Sequence, residues 1–190
     1  MTEAIISTDP SRHQLLKIAG LGVLTGILTP LMVPLIDRIE GTPGDLRIGL
    51  VAIPFAILVF GLLRRCSANP WWAAWIAAVV TMIAFVAAVN VAVFVDGQAD
   101  PAGKAARNVL SGLAGGFVGA LLMALGIALL PAGPRDGSAW LPMLVTGSVA
   151  GALLALDNTL DLDLVSVLYP VWQAGVATTL ALALRRPKLS

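Results

Sequence analysis

Asn108–Leu130, NVLSGLAGGFVGALLMALGIALL, decides the fold. No charge falls between Val109 and Leu130, and as a helix rising ~1.5 Å per residue this stretch is about 33 Å long. That length matches the roughly 30 Å hydrocarbon core of a bilayer. Gly112, Gly115, Gly116 and Gly119 crowd its first half. In water each would weaken a helix by about 1 kcal/mol relative to alanine. In lipid they let neighbouring backbones approach closely, because helix association there rests on packing and not on the hydrophobic effect. The stretch reads as a membrane span around which the others pack.

The rest of the chain agrees. Of its 190 residues 58% are hydrophobic and only 12% charged, against about 25% charged in soluble domains. Mean hydropathy is +0.90. Six segments contain no Asp, Glu, Lys, Arg or His: Ile18–Ile36, Ile48–Leu63, Trp71–Val95, Val109–Leu130, Gly137–Leu156 and Leu164–Leu184. A charge at the bilayer centre costs at least about 2.5–3.5 kcal/mol on insertion scales. The sequence therefore predicts an all-α polytopic membrane protein, a bundle of six transmembrane helices with short loops. The spans are expected near 15–36, 46–63, 71–95, 109–130, 140–156 and 164–184, within one domain covering 1–190. The first apolar segment is too long, and its flanks too polar, for a signal peptide with an apolar core of roughly 7–15 residues.

Local signals place the helix starts. Asp9-Pro10, Thr42-Pro43, Asn69-Pro70 and Asp100-Pro101 each set a capping side chain before a proline at the first helical position. Ser138 and Asp163 are the expected caps of the last two helices. Pro30, Pro34, Pro54, Pro142 and Pro170 lie inside apolar segments, where membrane helices accept kinks. Lys and Arg divide 8 to 4 between the two faces, with Arg12, Lys17, Arg64, Arg65, Arg135, Arg185, Arg186 and Lys188 against Arg38, Arg47, Lys104 and Arg107. The positive-inside rule then puts both termini in the cytoplasm. Trp71, Trp72, Trp75 and Trp140 fall at the same interface. Abundant Ala and Gly, with Arg exceeding Lys, suggest a GC-rich bacterial genome and hence a bacterial inner membrane.

Composition also excludes functions. A net charge of +1 gives no nucleic-acid footprint. Cys66 and His13 are the sole residues of their types, so no intrachain disulfide and no metal or haem site built on several histidines is expected, and no cofactor. No catalytic motif is present.

Three sets of residues are the candidates for function. Gly22/Gly26, Gly112/Gly116, Gly115/Gly119 and Gly147/Gly151 form small-residue pairs suited to helix packing. Glycine pairs in the first and fourth spans would also suit an inverted three-plus-three repeat. Asn90, Tyr169 and Gln173 are the polar groups that enter the membrane, and Tyr169 and Gln173 are one helical turn apart. Asp157, Asp161 and Asp163 make an acidic outer loop that attracts cations, with Lys104 and Arg107 as candidate pairing partners across the outer face. The first reading is a non-enzymatic protein whose partners are the lipid bilayer and a homo-oligomer or another membrane protein, acting through helix packing as a structural or accessory subunit. The alternative is a small transporter or channel for a neutral or cationic solute, with a polar cavity opening outward between the third and sixth spans. The third is a membrane enzyme using the outer carboxylates.

Overall fold

Proline, glycine and buried polar groups decide where each apolar segment becomes a helix. The computed structural model describes residues 10–39, 41, 43–99, 103–162 and 165–185, and among them it contains no strand. The helices are α1 (Pro10–Ile36), α2 (Gly44–Val51), α3 (Ile53–Cys66), α4 (Trp71–Gln98), α5 (Lys104–Ala128), α6 (Leu141–Gly151), α7 (Leu154–Thr159) and α8 (Leu168–Arg185). A 3-10 turn, Gly137–Ala139, leads into α6. Four stretches are long and apolar enough to cross a membrane: Arg12–Ile36, Trp71–Gln98, Lys104–Ala128 and Gly137–Thr159. Taken as one bent span, α2 and α3 make a fifth.

The second segment departs from the expected continuous helix. Between α2 and α3 the axis bends by 54°. Pro54, second residue of α3, is the cause. It has no N–H for the carbonyl four residues back, and its ring collides with that carbonyl. The chain answers with a tighter bond at the corner, from Ala52 N to Gly49 O at 3.1 Å. The bend turns Phe55 inward, where it is buried. Pro30 and Pro34, by contrast, lie within an unbroken α1. The sixth segment, expected from 164, is helical from Leu168 and 18 residues long. Pro170 consequently occupies the first turn of α8, where its missing N–H has no intrahelical partner to lose.

The expected caps are partly redistributed. Asn69 does not cap α4, which begins after Pro70 without a side-chain cap. Its Oδ1 instead accepts from Ala132 N at 2.8 Å, tying the α3–α4 turn to the chain beyond α5. Asp136, not Ser138, caps the 3-10 turn, by accepting from Ser138 N. Asp9, Thr42, Asp100 and Asp163 lie outside the described residues.

Six helices form a ring in the order α1, α3, α4, α5, α6, α8, and α8 closes back on α1. Across one half of the ring α3 also meets α8. There the core is solid, with Val59, Leu63, Ile127, Met143, Val176 and Leu180 fully buried. Two backbone crossings are very close. A Cβ added at Gly112 or Gly116 would overlap the carbonyl oxygens of Gly151 and Gly147 of α6. One added at Gly22 or Gly26 would overlap the backbone of α8 at Ala174 and Pro170. On the flank of α5, a Cβ at Gly115 would stand 2.8 Å from Ala88 O, and one at Gly119 would stand 3.1 Å from Ala88 Cβ.

Candidate functional site

In the other half of the ring α4 and α8 barely touch. The rings of Phe85 and Tyr169 bridge them, with centroids 5.9 Å apart. The space they leave is a cavity of about 600 Å³. That is within the range of sites that enclose drug-sized ligands. Its back wall is the glycine face of α5. Gly112, Gly115, Gly116 and Gly119 border it, although the space their side chains would take is filled by α6 and α4. Its floor is Phe55, Thr81, Met123 and Trp172, and the Trp172 indole meets Phe55 edge-on at 5.6 Å. From Thr81 to Asp96 it follows α4 for about 22 Å at 1.5 Å per residue.

The rim carries the charge. Asp96, Lys104, Arg107, Asp157, Asn158 and Asp161 all border the mouth. Arg107 Nε lies 3.0 Å from Asp96 Oδ1. The sequence offered Arg107 the acids of the 157–163 loop as partners. Asp96 is its ion-pair partner among the described residues, because α4 and α5 are consecutive and antiparallel, which sets the end of one beside the start of the other. Lys104 forms no ion pair with a described residue.

Asp157 has a structural task. It is only 8% exposed. Its carboxylate accepts from Ser166 Oγ at 2.5 Å, Val167 N at 2.9 Å and Leu168 N at 3.3 Å. Ser166 Oγ in turn accepts from Tyr169 N at 3.2 Å. The start of α8 is thus capped from α7, through a negative charge at the positive end of the helix dipole. Asp161, at φ 52°, occupies the left-handed position that ends α7, and Leu162 N returns to Asp157 O at 3.1 Å. This is the Schellman ending, with Asp where Gly is usual. The carboxylate of Asp161 remains exposed on the rim.

The three polar intramembrane candidates do not converge. Tyr169 lines the cavity. Gln173 is 1% exposed and lies off it, with Nε2 donating to Thr29 Oγ1 of α1 at 2.7 Å. Asn90 also lies off the cavity, donating to Val86 O at 2.9 Å and facing Asp45 of α2 at 3.4 Å. One polar residue absent from the sequence-based candidates does line it. Asn108, 5% exposed, borders the cavity with no side-chain hydrogen bond among the described residues. The nearby hydroxyls of Ser111 and Thr81 are occupied by Arg107 O and Ala77 O in their own helices. No sequence signal marks Asn108, since only the gap between α4 and α8 makes it a wall residue, whereas Trp172 stands in the polar and aromatic run Leu168–Gln173.

The Gln173–Thr29 pair gives an asymmetric prediction. Thr29 Oγ1 also donates to Thr25 O at 2.9 Å, while Gln173 Oε1 has no hydrogen-bond partner. Gln173→Leu removes one bond together with one buried unpaired acceptor. It is expected to change the unfolding free energy by less than about 1 kcal/mol. Thr29→Val leaves the whole Gln173 amide unpaired and is expected to cost about 1–3 kcal/mol. Equilibrium unfolding in mixed micelles measures both, and equal losses would contradict this account.

The described residues hold no group of three or more His, Cys, Asp or Glu suited to a metal ion. No protein-family model matches the sequence, and neither the curated proteins nor the solved structures searched contain a match.

Proposed function

We propose that this chain is an integral membrane protein that admits a small amphipathic molecule into a chamber within its helical bundle, without catalysing a reaction. The observation that carries the proposal is the cavity itself, with an aromatic floor and a charged rim on a scaffold of apolar helices. Large apolar side chains cover the outside of the ring, among them Ile57, Val79, Ile83, Phe94 and Leu129, the last 80% exposed. A lipid solvent accounts for them, whereas a water-soluble monomer rarely shows so extensive an apolar surface. On this reading α2 with α3 is one bent span and α8 is the sixth. The Lys and Arg distribution turns the chamber's mouth away from the cytoplasm, in a bacterial inner membrane.

The glycine pairs support the chamber. Gly112 and Gly116 meet α6, Gly115 and Gly119 approach α4, and Gly22 and Gly26 meet α8. These surfaces are occupied within one chain, which favours an internal role in shaping the back wall over a role between copies.

The test is cysteine labelling in a Cys66→Ser background. Ala92→Cys, on the cavity wall, is expected to react with a membrane-impermeant thiosulfonate added from the outer side. Adding Val89→Phe, which fills the same space, is expected to slow that reaction strongly. A cysteine in place of Val149, on the lipid-facing side of α6, serves as the unreactive control. An Ala92→Cys no more reactive than that control would end the proposal.

A further inference from the structure

The mouth of the chamber restricts what its occupant is. Two of its acidic groups already have partners. Asp96 faces Arg107, and Asp157 holds the start of α8. Lys104 and Asp161 are different. Both are exposed, both border the mouth, and neither makes an ion pair with a described residue or with the other. The rim therefore presents a cation and an anion that are separated and open. Just inside lies Asn108, a buried amide that lacks a hydrogen-bond partner among the described residues and can both donate and accept. Its amide atoms are not sealed off from the cavity, so they are open to a ligand that both donates and accepts. Deeper still the wall is apolar, formed by the glycine face of α5 opposite Phe85 and Tyr169 and ending at Trp172 and Phe55.

We infer that the occupant is a single-chain zwitterionic amphiphile. Its anionic group meets Lys104, its ammonium meets Asp161, an ester or hydroxyl bonds Asn108, and its chain lies along the glycine face of α5. An anionic head would be repelled by Asp161 and a cationic one by Lys104. An uncharged head would gain nothing from either. A lysophospholipid from the bilayer and a soluble short-chain zwitterion share this chemistry. The inference rests on the chamber proposed above and adds to it the class of ligand.

Trp172 is the tryptophan that lines the chamber, so it reports occupancy. The full-length protein is placed in phosphatidylglycerol nanodiscs and titrated with lysophosphatidylcholine brominated in its acyl chain. Saturable quenching is expected, and it is expected to vanish in Trp172→Phe. A variant with Trp71, Trp72, Trp75 and Trp140 all changed to Phe gives the same information if Trp172→Phe does not fold. Unbrominated lysophosphatidylcholine should relieve the quenching, while lysophosphatidylglycerol and monoacylglycerol at equal concentration should not. Lys104→Ala and Asp161→Ala should each raise the half-saturating concentration roughly two- to fivefold, as expected for exposed ion pairs. A short-chain phosphocholine that competes as well as the lysolipid supports the zwitterion and assigns it to solutes. One that fails supports the zwitterion and assigns it to membrane lipid. Equal competition by all three lysolipid classes overturns the zwitterion and leaves the chamber standing. Absence of any saturable Trp172 quenching overturns both.

Discussion

Replacing Gly116 with leucine is expected to destroy the folded bundle, with a loss exceeding about 4 kcal/mol. Even the first carbon of a side chain at this position overlaps the carbonyl oxygen of Gly147, and its next neighbours are Gly147 C at 3.0 Å and Gly151 Cα at 3.1 Å. All these obstacles are backbone, so no rotamer change relieves the clash. The helices must separate, and α6 would carry Met143 and Trp140 out of the core with it. The five glycines of α5 also forgo about 1 kcal/mol each of helix propensity. A leucine recovers that amount and still loses overall. Gly61→Leu is the matched control, because a Cβ there meets nothing within 4 Å. Thermal unfolding with size-exclusion profiles in mild detergent compares the two. A Gly116→Leu protein that stays monodisperse and unfolds like Gly61→Leu would show that α5 and α6 do not cross at this point.

Asp157→Ala is expected to destabilise by about 2 kcal/mol, the scale of leaving buried donors unpaired. The Ser166 hydroxyl and two backbone N–H groups lose their acceptor together, and α8 loses the negative charge at its start. Asp157→Asn keeps one oxygen and should fall between alanine and the native residue. Ser166→Ala removes a single bond and should cost about 1 kcal/mol. The local signature is faster amide exchange at Val167, Leu168 and Tyr169, while amides in the middle of α5 keep their protection. Uniform loss of protection would mean that Asp157 acts on the whole bundle and not through the start of α8. If Asp157→Ala instead left stability unchanged, its carboxylate would have to be solvated, contrary to its burial.

Much of the helical layout was legible because charge is so costly in lipid. The longer described helices lie largely within the uncharged segments, while α2 and α7 straddle their edges at Asp45, Arg47 and Asp157, and the glycine-rich stretch does lie against two neighbours. The interruptions were harder to read. Pro30 and Pro54 look alike in sequence, yet α1 continues through the first and the chain breaks beside the second. What separates them is tertiary support, since α1 lies along α8 for much of its length. Asp163 stands closer in sequence to the start of α8, yet the cap among the described residues is Asp157, which reaches it from a separate helix through a chain reversal at Asp161. Tyr169 and Gln173 share one stripe of α8, but four residues advance a helix by about 40° past a full turn. That offset directs Tyr169 toward the cavity and Gln173 toward Thr29. The candidate site was legible only in its charged rim and in Tyr169. Its floor is made of apolar side chains that elsewhere would be ordinary core.

The corner at Ala52 has one more effect. It delivers Phe55 to the foot of the chamber, edge-on against Trp172, above the solid layer of Leu63, Ile127 and Met143. This aromatic pair forms the floor of the cavity. For the guest proposed above, the charged rim is the doorway, and passage to the far face would require this pair to swing aside. Straightening the corner, as Pro54→Ala would favour, is the shortest route to a leak.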